Sequence, residues 1–213
     1  MRNIVKGTEP RGLTQHRATN PTDYVGYPDK DALRGSLVAE QRGICCYCMG
    51  RIRAAVGSTK IEHWQSQSRC PLQRLVYSNL LGACMGNERC RGTDQHCDSY
   101  KADKVLSRNP ANPSHNVEAI IHFLADGRIG SSNPVFNNDL DQVLNLNVAV
   151  LVNSRKAALR AFQRALDMRG TLSRQTWERL LGQWKGDAAG GDLMPYCQVI
   201  VYWIQKKLTR VTH

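Results

Sequence analysis

The sequence predicts an α+β protein: a small cysteine-stapled metal module between an N-terminal arm and a helical C-terminal half. Three observations carry that expectation. Most of the cysteines crowd into the stretch from Cys45 to Cys97, which is otherwise irregular with short β-like runs. After Pro134 the apolar residues recur at helical spacing. Before Asp29 no steady period exists at all.

Taken in order, residues 1–28 are polar and rich in Gly, Pro and Thr, and read as an extended arm. Pro28, Asp29 and Asp31 are start signals for a helix to about Gln41, with Leu33, Leu37 and Val38 as its apolar stripe and Gly43 as its stop. β-like pieces follow at 44–53 and 59–64. Residues 117–123 look like a strand, Asp126-Gly127 a turn, and Arg128–Ser131 the returning strand of a hairpin. Farther on, Leu151, Ala158, Leu159, Phe162 and Leu166 share one helical face, with Arg155, Lys156, Arg160 and Arg164 largely off it. Gly170 breaks that helix, and another is expected from Ser173 to about Gln183, with Trp177, Leu180 and Leu181 inward. The spacing of Tyr196, Val199, Ile200, Trp203 and Leu208 favours a last helix over a buried strand. Trp177, Trp184 and Trp203 read as core, or as interface anchors. The expected division is an arm at 1–28, a metal module with its hairpin at 29–134, and a helical region at 135–213.

Composition narrows the class. Among 213 residues, 29 Lys and Arg face 18 Asp and Glu, a formal charge of +11. Such an excess draws polyanions such as nucleic acid, although a soluble protein can also simply be basic. Met1–Pro10 lacks the apolar run of a signal peptide, and the longest apolar run, around Cys197–Ile204, falls far short of the roughly 20 residues of a membrane span. The expectation is a cytoplasmic protein with no membrane partner. Thiols stay reduced there, so metal ligation explains eight cysteines better than disulfides do.

Cys45 and Cys48 form a C-x-x-C pair, whose turn can aim two thiolates at one Zn²⁺. Two more ligands are needed, from Cys84, Cys90, Cys97 or His96. Cys46, Cys70 and Cys197 are expected to be unpaired and silent. Downstream, Lys60-Ile61-Glu62-His63-Trp64 puts an acid and a histidine on opposite faces of a strand end, one free to reach a metal and the other a water. Asn79 follows sixteen residues after His63, and His96-Cys97-Asp98-Ser99-Tyr100-Lys101 begins a short helix. His16, His115, His122 and His213 have no such company.

The order Cys45-x-x-Cys48, Glu62-His63, Asn79, Cys84 and Cys97-Asp98-x-x-Lys101, about 57 residues in all, resembles the HNH (ββα-metal) endonuclease family. Two features depart from its pattern: Asp98 stands where Asn or His is commoner, and Met85–His96 lengthens the gap between the later cysteines. The flanks Ile4–Pro10, Glu40–Cys45, and Leu144-Asn145-Leu146-Asn147 followed by Arg155 look like the PtuB-type HNH subunit of Septu and retron-linked anti-phage systems, which works beside an ABC/SMC-like ATPase.

The resemblance implies a bacterial, cytoplasmic nuclease with structural Zn²⁺ on Cys45, Cys48, Cys84 and Cys97, Cys90 or His96 being the alternatives. It implies Mg²⁺ or Mn²⁺ on Glu62 and Asp98, and His63 as general base. Asn79 would fix the His63 ring or approach the metal. Lys101 would offset phosphate charge or face solvent. DNA is the favoured substrate. A ribonuclease acting on host RNA, or a non-catalytic zinc-stapled nucleic-acid binder, are the rivals. The arm and the helical half are expected to dock the ATPase.

Overall fold

In the computed structural model, which describes residues 1–167, 170–187 and 190–210, the first departure from expectation comes at the N-terminus. Arg11–Thr19 forms a helix, α1, on which Leu13 alone is buried. The segment before it is docked, with Met1 and Ile4 in the core. The 1–28 segment is therefore not an extended arm. Lys6 shows why it folds: its ammonium pairs with Glu40, donates to the Leu80 carbonyl at 2.9 Å and lies 3.8 Å over the Tyr77 ring. Arg17 adds a two-pronged pair with Glu9 (2.6 and 3.1 Å) and a bond to the Leu75 carbonyl.

Helix α2 spans Lys30–Glu40 and buries Leu33 and Leu37. With Leu13, Tyr27, Leu75, Tyr77 and Leu80 they form a small core distinct from the main one. Arg42 and Gly43 both take positive φ (52° and 72°), which stops the helix and turns the chain into the cysteine segment.

β1 (Lys60–His63) pairs antiparallel with β2 (Leu80–Ala83), with Glu62 opposite Leu81 and His63 opposite Leu80. The expected piece at 44–53 is a tight knuckle closed by a single Ile44–Arg51 bridge. The Gln41 side chain knits this knuckle to β2: its amide donates to the Gly82 and Ile44 carbonyls, and its oxygen accepts from the Gly82 N–H. One turn of helix, α3 (Asp98–Lys101), follows the Met85–His96 loop.

The expected strand at 117–123 is half helix: α4 covers Val117–Ile120, and only Ile121–Phe123 is strand (β3). Four residues are too few for a period to distinguish the two. β3 pairs with β4 (Ile129–Ser131) around the Asp126-Gly127 turn. Then come α5 (Pro134–Gln142), α6 (Ala149–Asp167), α7 (Arg174–Lys185, capped by the Ser173 side chain) and α8 (Cys197–Arg210). The last segment is thus helix. Trp184 and Trp203 pack edge-on against Phe162, and Trp177 tilts against Trp203, so all three serve packing.

Arg155 corrects its expected outward placement. It is 1% exposed, on the inner face of α6. Its guanidinium is met by the carbonyls of Gly127 (2.6 Å) and Leu146 (2.7 Å) and by Asn147 Oδ1. Carbonyl oxygens let a cation be buried without a carboxylate partner. Asn147 also holds Ile129 from both sides, so the Leu144–Asn147 segment ties the hairpin to α6. No helix among the described residues is long and apolar enough to cross a membrane. His213 lies outside the described residues.

Candidate functional site

The knuckle turns on hydrogen bonds from Met49 N–H to Cys45 O (3.1 Å) and from Cys45 N–H to Gly50 O (2.8 Å), which bring Cys45 and Cys48 to one side. Cys84 sits just past β2, and Cys97 at the mouth of α3. The Sγ atoms of all four lie within 4.8 Å of one another. Cys45–Cys97 is 3.9 Å and Cys48–Cys84 is 3.7 Å. Tetrahedral zinc with sulfur at 2.3 Å requires S···S of about 3.8 Å, whereas a disulfide requires about 2.0 Å. The set can hold a structural metal ion such as zinc. Backbone N–H groups of Cys84 and Gly50 point at Cys45 Sγ and Cys48 Sγ, each at 3.3 Å, the kind of surrounding bond that steadies thiolate charge. Burial raises the Cys45 pKa, but thiol hydrogen bonds from Cys46, Cys48, Cys84 and Cys97 outweigh it and hold that pKa well down.

The long Met85–His96 gap does not separate the ligands, because its ends are pinched together. His96 N–H donates to Gly86 O at 3.0 Å, and Gly86, at φ +57°, lies so close to the His96 carbonyl that any Cβ would collide with it. Asn145 holds the loop from outside through Thr93 O and Gln95 O, and Leu144 O accepts from Cys97 N–H. Cys90 is exposed on this loop and takes no part. The His96 ring stands 3.2 Å from Cys97 Sγ and 4.0 Å from Cys84 Sγ, a neighbour of the four sulfurs.

Beside the sulfur cluster opens a cleft of about 450 Å³ bordered by Arg34, Lys60, Glu62, His63, Asp98 and Asp103. Glu62 is 2% exposed, and its Oε1 accepts from Tyr47 O–H (2.7 Å) and from Lys101 Nζ (2.8 Å). Burial and the neighbouring Asp98 carboxylate push its pKa well up, with Lys101 pulling the other way. Asp98 pairs with Lys60 at 3.4 Å, and Lys60 also meets Glu88 at 2.8 Å and Ser99 Oγ at 2.8 Å. A buried and a half-buried carboxylate that crowd each other, with ammonium groups as their counter-charges, are hard oxygen donors.

His63 faces different partners from Glu62, as strand alternation demands. Its ring meets Tyr24 edge-on at 4.6 Å, and its Nε2 lies 2.9 Å from Arg74 O. A carbonyl only accepts, so Nε2 carries the proton and Nδ1 keeps its lone pair. Burial lowers the His63 pKa to about 4, leaving the ring neutral at physiological pH.

Two residues stand where the sequence did not put them. Lys101 is 1% exposed and donates to Glu62 and to His63 O (2.9 Å), so it neither faces solvent nor is free for a phosphate. Asn79 does not bond the His63 ring: its side chain clamps the loop beyond β1, accepting from Gln65 N–H and donating to Gln65 O and Gln73 O. Tyr47 was missed. Its place between the two C-x-x-C ligands was the available signal.

A scan against models of known protein families finds none that matches the chain, and no curated protein matches it.

Proposed function

We propose that the chain is a divalent-metal-dependent nuclease of the HNH kind that hydrolyses phosphodiester bonds, with DNA the favoured substrate. In this reading it acts in the bacterial cytoplasm as effector of an anti-phage complex with an ABC/SMC-like ATPase. One observation carries the reading: Glu62, His63 and Asp98 border a single cleft beside the four-sulfur cluster. Strand β1 carries Glu62 and His63, the helical turn α3 carries Asp98, and the charge of +11 suits a polyanionic substrate.

Glu62 and Asp98 would hold one Mg²⁺ or Mn²⁺, an ion that commonly takes only one or two carboxylates and keeps waters. When bound, the ion supplies charge stabilisation at the scissile phosphate and the departing 3′ oxygen. His63 Nδ1 takes the proton of the attacking water while Nε2–H stays on Arg74 O, which shares the positive charge formed on the ring. Such a base contributes roughly 10²–10⁴-fold in rate. Asn79 keeps the loop behind His63 in place, and Cys84 and Cys97 would tie α3, and with it Asp98, to the end of β2 when the four cysteines hold Zn²⁺. The products are a 5′ phosphate and a 3′ hydroxyl.

The test is cleavage of supercoiled plasmid and of total tRNA by zinc-loaded protein, with and without added Mg²⁺ or Mn²⁺, alone and with the ATPase. Metal-dependent cutting lost in His63→Ala is the expected result, and the substrate cut decides between DNA and RNA. Nucleic acid bound but never cut would leave a zinc-stapled binding module.

A further inference from the structure

Glu62 is held from two directions, and both holders are anchored at the sulfur cluster. Tyr47 lies inside the knuckle, one residue before Cys48 and two after Cys45, with its ring fully buried. Ligation of those two sulfurs would fix its backbone on either side, and its phenol reaches Glu62 Oε1 at 2.7 Å. Lys101 closes the helical turn that Cys97 opens, with its N–H on Cys97 O at 2.8 Å, and its ammonium reaches the same oxygen at 2.8 Å. Both donors converge on Oε1, which leaves the second carboxylate oxygen free of either.

We propose that Tyr47 and Lys101 are positioning residues that couple the sulfur-bound metal to the carboxylate cleft, orienting Glu62 so that its free oxygen can take a divalent cation together with Asp98. This rests on the reading of Glu62 and Asp98 as cation ligands. Partners of this kind, one bond removed from a metal, typically change its affinity 10–100-fold. The backbone at the junction fits such a role. Cys97 (φ 56°) and Ala102 (φ 47°) flank α3 at positive φ, a strained conformation for residues with a Cβ that persists only where its surroundings hold it. A metal on Cys97 would supply that hold. Loss of the sulfur-bound metal would release both arms at once, so the cleft would bind its cation only in a chain whose sulfur site is filled.

The experiment is Mn²⁺ binding to the full, zinc-loaded chain, followed by electron paramagnetic resonance without any substrate. Zinc content and circular dichroism serve as folding controls, and Glu62→Ala marks the site. Tyr47→Phe, which removes one oxygen and keeps the ring, is expected to keep zinc and weaken Mn²⁺ binding about tenfold or more. Lys101→Gln tests the second arm and answers for the coupling should Tyr47→Phe not fold; since it also removes a positive charge beside the site, weaker Mn²⁺ binding speaks for the arm, and equal or tighter binding overturns it. Unchanged Mn²⁺ affinity in a folded, zinc-loaded variant overturns the coupling and leaves the nuclease reading standing. No saturable Mn²⁺ binding by the wild type overturns the nuclease reading itself, and the coupling with it.

Discussion

The sulfur cluster and the carboxylate cleft lie on either side of the same helical turn, and they are finished to different degrees. At the cluster, four sulfurs stand close together at separations that suit zinc, with backbone N–H groups aimed at two of them. In the cleft, Glu62 and Asp98 are matched by lysines of the protein itself, one buried and one at the rim. Soft thiolates with steadied charge retain a metal as part of the fold, whereas carboxylates shared with lysines suit an ion that comes and goes. On the proposed reading, the chain separates a metal that would build from a metal that would react. It also places the first where it can support the second.

Breaking the first site should have the largest effect. Structural zinc in small fingers supplies roughly 10–16 kcal/mol of apparent folding free energy, so Cys84→Ala should lose the cooperative melt followed by circular dichroism. A variant melting within a few degrees of the wild type would show that the cluster does not build the fold. Breaking the second should leave the zinc site intact: His63→Ala should cut about 10²–10⁴-fold more slowly with zinc content preserved and a cooperative melt retained, its Tm lowered only by the loss of the ring's packing and its bond to Arg74 O. Equal loss of structure and rate would erase the distinction between the two sites.

Asn79→Ala sharpens the comparison from the loop side. It leaves backbone groups of Gln65 and Gln73 without partners, on the order of 3 kcal/mol in denaturant melts, with no change in zinc stoichiometry. The smallest effect is on acid sensitivity. His63 binds protons less readily folded (pKa about 4) than unfolded (about 6.5), so its contribution is complete above pH 6.5 and is lost as pH falls toward 4. Between pH 7.5 and 5 that amounts to about 2 kcal/mol, and a folded His63→Gln variant should show a correspondingly flatter dependence.

The sulfur site was the most legible part in the sequence, because cysteine spacing reports ligand chemistry directly. The resemblance pointed to Cys84 and Cys97 in spite of the long intervening loop, and the Gly86–His96 pinch explains how the loop leaves them together. The late helices were legible through their apolar stripes. Helix α1 was not, since it buries only Leu13 and is held by Lys6 and Arg17, which make their bonds beyond it. Arg155 and Lys101 misled for a common reason: a charged residue is expected outside unless its partners are known. Those partners are carbonyls and a carboxylate brought in from distant segments. For Asn79, residue type announced a polar task but not which polar atoms would face it.

The pinched neck of the Met85–His96 loop also offers a practical handle. Gly86 and His96 fix its base, so changes at its exposed tip are expected to leave the sulfurs outside it in place. That stretch carries the exposed thiol of Cys90, and its Glu88 reaches Lys60 at the rim of the cleft. In a Cys70→Ser background, with the four cluster thiols protected by their metal, a dye attached at Cys90 would sit on a tether ending at that rim, an optical reporter of what enters.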